Sequence, residues 1–309
     1  MKISKTPLYA TAGALCLALA SGSAQAVVII NDSFADGDRT STGALDANWW
    51  SSSQTSGSNV QADPNSLTLV TGTSGRGMHA TFATQTLAVG DSITATYSFT
   101  TPNTVGTNKG GAFKIALMDG SNPALADDLF SQSGAGNENP IYQNLPGYMA
   151  DYDVNKNDAT DDISIREHDA PGTVGRFLGT TSGWTTLGTS SDVGYDITAD
   201  TDYIGVLMIT RTGADSVDIF SSLSLAAGGL LDSHTRSDTS GIANNFGMLG
   251  FWAISNTFGS SNTAGDPDNG LVFTNVLIES TVTPIPVPGA VWLFGSALAG
   301  LSVMKRKRS

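Results

Sequence analysis

The sequence predicts an all-β protein built as a jelly-roll-like sandwich, preceded by an export signal and followed by a short apolar tail. Between Val27 and about residue 280, apolar and polar residues alternate in short runs that end at Gly, Asn, Asp or Pro. Such runs are typical of half-buried strands joined by tight turns. The chain also contains 35 Gly and only 14% charged residues, a composition typical of loop-rich β proteins rather than helical ones.

The acidic charge lies in the body of the chain. The net charge is −13 over 309 residues, yet all 28 Asp and Glu lie between Asp32 and Glu279. Only nine of the 15 Lys and Arg lie there with them, so the body carries about −19. A body this acidic repels phosphate backbones, and we therefore expect no nucleic-acid partner.

Residues 1–26 have the three parts of a secretory signal peptide. Two lysines open the segment, an apolar stretch covers residues 12–20, and small residues end it at Ala24-Gln25-Ala26. This pattern predicts export through the Sec translocon and cleavage by signal peptidase after Ala26. The one cysteine, Cys16, lies within the signal, so the mature chain is expected to contain neither a thiol nor a disulfide.

Nine alternating runs are predicted as strands of one domain over residues 27–280. They cover residues 66–70, 77–83, 91–100, 111–120, 162–169, 202–213, 215–225, 247–255 and 270–279. The stretch R-T-G-A-D, which begins at Arg211, separates two of these runs and predicts a hairpin turn. One helix is predicted from Ala124 to Phe130, with Pro123 in its first turn and Asn122 as its cap.

The order of these segments resembles the concanavalin A-like lectin and glucanase jelly roll. The resemblance lies in NDSFADG (31–37), the strands through DSITATYSF (91–99), GRFLGTTSGWTTLG (175–188) and the closing strand GLVFTNVLIES (270–280). It implies two antiparallel sheets packed face to face, and an extracellular polysaccharide as the ligand.

The carboxylates for glycoside hydrolysis are incomplete. Enzymes of this jelly-roll type that cleave β-glucans carry E-x-D-x-x-E on one strand, since carboxylates on the same face flank the glycosidic bond. Glu167-His168-Asp169 begins such a motif, but Gly172 stands at the third carboxylate position and the chain contains only three Glu. We therefore predict no catalytic residue, with a polysaccharide hydrolase or lyase using Glu167 and Asp169 as the alternative. The histidines, His79, His168 and His234, lack the spacing of a zinc site.

One loop has oxygen ligands at alternate positions, as loops that bind hard cations do. In DYDVNKNDATDD (151–162) these are Asp151, Asp153, Asn155 and Asn157. Lys156 occupies the position at which an EF-hand loop needs Gly, so a solvated polar turn is the alternative to a calcium site. DPDNG (266–270) poses the same two alternatives, and no other cofactor is predicted.

Three tryptophans are candidates for stacking against sugar rings, because aromatic faces suit the apolar faces of sugars. They are Trp49, Trp50 and Trp184. Packing within the fold is the alternative for each of them. Strand alternation predicts that one ring of the Trp49–Trp50 pair points inward and the other outward, and it predicts Trp252 in the core.

The C-terminal residues 281–309 form a separate segment. A proline-spaced stretch leads into the apolar run Gly289–Met304, which is followed by four basic residues. These 16 residues reach about 24 Å as a helix, short of the roughly 30 Å hydrocarbon core of a bilayer. The run predicts a short transmembrane helix that anchors the protein only transiently, with the basic end in the cytoplasm, and a permanent single-pass anchor is the alternative.

This tail resembles the PEP-CTERM sorting signal, in the variant that reads V-P-L-P-A-A-x-W-L-F-G-S. The residues that carry the resemblance are Pro286, Val287, Pro288, Trp292, Gly295 and the basic end Lys305, Arg306, Lys307 and Arg308. Val287 stands where the commoner form has glutamate and Gly289 where the variant has alanine, which leaves the cleaved bond open. The resemblance implies processing by exosortase, a membrane transpeptidase of Gram-negative bacteria that also make exopolysaccharide.

Together these features indicate an exported cell-surface or extracellular-matrix protein that is non-catalytic and binds extracellular polysaccharide. We expect it to cross the inner membrane, to remain there transiently, and then to reach the cell surface or the medium. The alternatives are the secreted hydrolase or lyase described above and a structural or ice-binding adhesin, which would expose a flat Thr-rich face.

Overall fold

The computed structural model describes residues 25–53, 58–71, 75–107, 111–128, 140–142, 144–154, 162–168, 177–179, 183–261, 263 and 265–282. These residues form fifteen strands and two short 3-10 helices within one compact unit, Gln25–Thr283. The strands are β1 Gln25–Asp32, β2 Trp49–Ser51, β3 Val60–Asp63, β4 Ser66–Val70, β5 Arg76–Thr86, β6 Ser92–Thr100, β7 Phe113–Met118, β8 Gly147–Tyr152, β9 Ile163–His168, β10 Trp184–Thr186, β11 Asp202–Gly213, β12 Ser216–Leu225, β13 Leu230–Asp238, β14 Asn245–Ala253 and β15 Gly270–Val282. The 3-10 helices are Pro123–Leu125 and Pro140–Tyr142.

The strands pair into two antiparallel sheets. The eight-stranded sheet has the order β13-β12-β11-β6-β15-β4-β3, and β1 also pairs with β15. The seven-stranded sheet has the order β10-β9-β8-β7-β14-β5-β2. Successive strands pair in β3–β4, β7 to β10 and β11 to β13, and pairings between strands distant in the chain, such as β6 with β15, join these groups into the two sheets. The prediction of an all-β sandwich is confirmed.

The main core lies between the sheets and is rich in aromatic side chains. Tyr97 and Phe99 of the eight-stranded sheet contact Phe113, and Tyr97 also contacts Phe251 of the seven-stranded sheet, with ring centroids 5.2–5.9 Å apart. All four are at most 1% exposed, so their burial contributes a large share of the hydrophobic stabilisation. The Tyr97 hydroxyl donates to the Tyr152 hydroxyl at 2.9 Å, which satisfies a polar group inside this core.

A second hydrophobic cluster covers the opposite face of the seven-stranded sheet, which we call the outer face. Side chains alternate between the two faces: Ile115 belongs to the main core and Ala116 to the second cluster. The second cluster consists of Ala116, Met118, Leu125, Tyr142, Leu145, Met149, Phe177, Leu178, Trp184, Met248 and Trp252. Because Leu125, Tyr142, Leu145, Phe177 and Leu178 come from outside the strands, connecting segments cover part of the outer face.

The predicted strands all occur, and the errors have physical causes. Strand β8, GYMADY, was not predicted because it contains Gly147 and Asp151, two residue types that are depleted in strands. Strand β13 was not predicted because its sequence, LLDSHTRSD, is polar on both faces. The hairpin at Arg211 is confirmed, with Gly213 paired to Ser216 across a two-residue turn.

The predicted helix at residues 124–130 is wrong in length. The Asn122 side chain caps it as expected, accepting from the Ala124 amide at 3.1 Å, but helical structure ends at Leu125. Asp128 instead accepts two 2.7 Å hydrogen bonds from Arg39 and one from the Ser51 amide. These contacts hold the segment against strand β2, so the helix does not continue to Asp128.

Candidate functional site

A polar row crosses the outer face from strand β14 to strand β9. The strand register places Trp252 beside Lys114, Lys114 beside Asp151, and Asp151 beside Ser164. These side chains alternate with residues of the main core and therefore project from the outer face. Four rigid strands fix the positions of an aromatic ring, a cation, a carboxylate and a hydroxyl.

Two cations approach one carboxylate oxygen of this row. Asp151 Oδ2 lies 3.9 Å from Lys114 Nζ and 3.4 Å from Arg166 Nε, and Arg166 Nη1 donates to Thr186 Oγ1 at 2.6 Å. The Lys114 side chain is 7% exposed, that of Asp151 4% and that of Arg166 20%. Burial lowers the pKa of Lys114, Asp151 opposes this shift and Arg166 adds to it. A buried lysine close to a second cation is a feature common at functional sites.

The predicted calcium ligands are only partly within the described residues. Asp153 accepts a 2.7 Å hydrogen bond from the Gly111 amide, and Asp151 faces the two cations. Asn155 and Asn157 lie outside the described residues. Among the described residues there is no group of three His, Cys, Asp or Glu side chains able to hold a metal ion, and calcium binding stays a prediction.

The second polar group is a hydrogen-bonded turn. Asp266 Oδ1 accepts from the Asp268 amide at 2.9 Å, and Asp268 Oδ2 accepts from the Ser260 amide at 3.0 Å. Asn269 donates to the Thr263 carbonyl at 2.9 Å. These bonds account for the sequence DPDNG as a turn.

Trp50 and His79 lie side by side at the other end of the outer face. The register pairs them across strands β2 and β5. His79 Nε2 bonds the Leu125 carbonyl oxygen at 2.7 Å, whereas His79 Nδ1 and Trp50 Nε1 are buried and have no hydrogen-bond partner among the described residues. Burial lowers the pKa of His79 to about 4, against smaller opposing effects of the Leu125 carbonyl and Asp128. The imidazole is therefore neutral near pH 7 and donates through Nε2.

The tryptophans predicted to stack on sugars differ in their accessibility. Trp49 is 1% exposed in the main core, where Nε1 donates to Asp32 at 2.9 Å, so the prediction is wrong for this ring. Trp184 is 7% exposed and contacts His168, with ring centroids 4.9 Å apart, so its packed alternative applies. Trp50 is half-buried on the outer face, which confirms that one ring of the pair points inward and one outward.

Trp252 is buried, although not in the main core. It belongs to the second cluster, and a Cβ built on Gly179 would lie 2.6 Å from its ring. The neighbouring Phe251 occupies the main core instead. The predicted alternation is therefore one residue out of phase with strand β14 as it folds.

Glu167 does not project from the outer face. It lies on the same face of β9 as Ile163 and Ile165 of the main core and is 6% exposed. Burial is the main cause that raises the pKa of Tyr148, and the charge of Glu167 adds a smaller effect. Asp169, its predicted partner, lies outside the described residues. The structure therefore does not test the predicted absence of catalysis.

The predicted sorting and export residues fall at the ends of the chain. Ala26 lies in strand β1, paired with Thr281, whereas Ala24 and all of the predicted sorting residues lie outside the described residues. In the part of the chain that the structure describes, no helix has the length and apolarity required to cross a membrane. The predicted span 289–304 is not within that part.

Lys114 and Arg166 were missed as functional candidates. In the sequence, Lys114 looks like one polar residue of an alternating strand, although a lysine within an otherwise apolar strand can indicate a functional site. Arg166 directly precedes the Glu167-His168-Asp169 motif, which has the more familiar catalytic residue types. Only the register of β7, β8 and β9 brings these two cations to one carboxylate.

Comparison with known proteins gives structural likenesses at low sequence identity. No family model and no curated protein matches the chain. Peanut lectin is similar at a TM-score of 0.45 and 11% identity, over 84% of this chain and 98% of the lectin. An endo-1,3-β-glucanase from Streptomyces sioyaensis is similar at a TM-score of 0.47 and 12% identity, over 83% of this chain and 96% of the glucanase. The alginate lyase Aly36B is similar at a TM-score of 0.41 and 14% identity, over 84% of this chain and 97% of the lyase. These values assign no activity to this chain.

Proposed function

We propose that this protein is a non-catalytic, exported surface or matrix protein whose concanavalin A-like sandwich binds extracellular polysaccharide through its outer face. The observation that carries the proposal is the polar row Lys114–Asp151–Ser164 with Arg166, fixed on three adjacent strands. Sugar sites combine a few polar groups at fixed positions with aromatic and apolar surroundings. The second cluster supplies those surroundings.

The polar row suits sugar hydroxyl groups and their substituents. Lys114 and Arg166 supply donors, and Asp151 supplies acceptor oxygens between them. Each of these residues lies on a strand that is hydrogen-bonded to a neighbouring strand on both sides. Little side-chain or backbone freedom is therefore lost on binding. Half-buried Trp50 adds an aromatic surface at the opposite end of the same face.

A glycan array probed with the full chain in mild detergent tests the proposal. We expect binding to one class of bacterial or plant polysaccharide and a loss of that binding in Arg166→Gln. Arg236→Gln, on edge strand β13 of the other sheet, is the matched control and should bind as the wild type does. An array without any bound glycan would contradict the proposal.

The absence of catalysis has its own test. Glu167 and Asp169 are the residues of the alternative, and Glu167 faces away from the polar row. We expect the purified protein to release no reducing ends or unsaturated products from any polysaccharide that it binds. An activity that both Glu167→Gln and Asp169→Asn abolish would establish the alternative.

The export route is proposed from the two ends of the sequence. The signal peptide and the tail at Pro286–Arg308 support export, transient anchoring in the inner membrane and cleavage by exosortase. The mass of the protein recovered from host cells should therefore lack residues 1–26 and the basic end. The same mass in cells deleted for exosortase would contradict the sorting proposal.

The row of hydroxyl groups along strand β6 favours a second candidate, adhesion to an ordered surface such as ice. All five outward residues of β6, Ser92, Thr94, Thr96, Ser98 and Thr100, carry a hydroxyl. In the described strands β6, β11, β12 and β15, no outward position between the first and last paired residues is Lys or Arg. An assay of ice recrystallisation tests this second candidate. We expect the protein to inhibit recrystallisation, Thr96→Lys to abolish that inhibition, and the control Thr84→Lys on the other sheet to retain it.

A further inference from the structure

Three arginines of the body have structural partners for their donors. Arg39 forms two 2.7 Å bonds to Asp128, and Arg236 donates to Thr189. Arg211 donates to three carbonyl oxygens at 2.8–3.2 Å. These side chains stabilise turns and connections, so their charges need no ligand.

Lys114 and Arg166 differ from these three. Within the described residues the Lys114 ammonium donates no hydrogen bond, and it lies 3.9 Å from Asp151 Oδ2. Arg166 uses Nη1 on Thr186, whereas its buried Nε forms no hydrogen bond and its Nη2 has no acceptor in the described part of the chain. A lysine side chain that is 7% exposed and donates nothing is costly for the fold.

Both cations of this cluster have donors without an acceptor among the described residues. Asp151 is compensated by both cations and Asp153 accepts from the Gly111 amide. A hydroxyl group would satisfy these donors but would bring a donor of its own. A carboxylate or sulfate group only accepts, and its hydrogen bonds to charged donors are the stronger kind.

We propose that Lys114 and Arg166 together bind an oxyanion of an acidic glycan, either the carboxylate of a uronate unit or a sulfate ester. This inference rests on the proposed polysaccharide binding and names the class of sugar that the outer face accepts. The two cations lie 3.9 and 3.4 Å from the same Asp151 oxygen, so one anionic group beside that oxygen can reach both. The acidic body repels a polyanion at long range, as it repels phosphate backbones, so the attraction is local to these two cations.

Calorimetry with short oligosaccharides and the full chain in mild detergent tests the inference. The ligands are tetragalacturonate, its fully methyl-esterified and hence neutral form, and a sulfated galactose tetrasaccharide. We expect one of the two anionic ligands to bind about tenfold or more tightly than the neutral form. Which of them does so distinguishes the carboxylate from the sulfate.

The variants assign the effect to the two cations. Lys114→Met and Arg166→Gln should each weaken binding of the anionic ligand more than binding of the neutral ester, and so remove the preference for the anionic ligand. The double variant Lys114→Met with Asp151→Asn leaves no isolated buried charge and should give the same loss if the single variant is unstable. Arg236→Gln, the matched control, should keep the preference.

Two results overturn the inference, and they are distinguishable. Equal affinity for tetragalacturonate, the sulfated ligand and the ester would remove the oxyanion subsite and leave polysaccharide binding intact. A preference that survives in both Lys114→Met and Arg166→Gln would place the recognition elsewhere. Failure of every glycan to bind would overturn the proposed function together with this inference.

Discussion

The ring of Phe177 rests directly on Gly250. A Cβ built on Gly250 would lie 2.2 Å from Phe177 Cζ, and one built on Gly77 would lie 3.1 Å from Phe177 Cδ1. Phe177 itself has φ of +38°, in the left-handed region that a bulky side chain rarely adopts. The packing of this ring into a socket lined by glycine offsets the cost of that backbone and attaches a connecting segment to the outer face.

Gly250→Ala should therefore destabilise the protein. The added methyl group has no room unless Phe177 moves, and overpacking of this kind costs about 1–3 kcal/mol. The free energy of unfolding from denaturant titration measures the loss. In a double-mutant cycle, Gly250→Ala should cost much less in a Phe177→Ala background, because the cavity admits the methyl group. Additive effects would show that the two residues do not contact.

Stability should fall as the pH falls from 6.5 towards 4, in part because of His79. Burial lowers the pKa of His79 to about 4, from 6.5 in the unfolded chain, so only the unfolded state gains a proton in this window. The contribution of His79 is complete above pH 6.5, decreases through the window, and totals about 3 kcal/mol. Denaturant titrations at several pH values measure it.

The variant that isolates this effect is His79→Gln, which retains a donor for the Leu125 carbonyl. Its free energy of unfolding should depend less on pH between 6.5 and 4 than that of the wild type. His234→Gln on edge strand β13 is the matched control and should follow the wild-type profile. An unchanged slope in His79→Gln would contradict the assignment.

The folded body should end after Val282, two residues beyond the boundary predicted from the sequence. Strand β15 continues to Val282, and Thr281 Oγ1 accepts from the Ser92 amide at 3.1 Å. A protein ending at residue 282 should melt cooperatively, and one ending at Ser280 should lose about 1 kcal/mol with this hydrogen bond. Thermal unfolding followed by circular dichroism compares the two. Equal midpoints would show that the last two residues contribute nothing.

Calcium should not change the stability of the protein. The Asp151 carboxylate already faces Lys114 and Arg166, which would repel a divalent cation. We expect identical melting midpoints in EDTA and in millimolar calcium. A calcium site would instead add about 2.7 kcal/mol at 100 times the dissociation constant. If such a rise occurs, Asp151→Asn should abolish it and Asp266→Asn should not.

The local pattern of the sequence predicted nine of the fifteen strands in the described residues, because alternation reports which side of a strand is buried and does not depend on the partner strand. It therefore predicted β4, β6, β11 and β12 with their bounds correct to one residue. It also predicted the hairpin after Arg211, whose turn needs only its own residues.

Tertiary structure alone decided the composition of the outer face. Lys114, Asp151 and Arg166 lie on three strands, and only their register brings them together. Alternation predicted that one ring of the Trp49–Trp50 pair points outward, but whether a ring on a face meets solvent depends on which connecting segments cover that face. Those segments carry Tyr142 and Phe177 from remote parts of the chain, and no local pattern encodes where they pack.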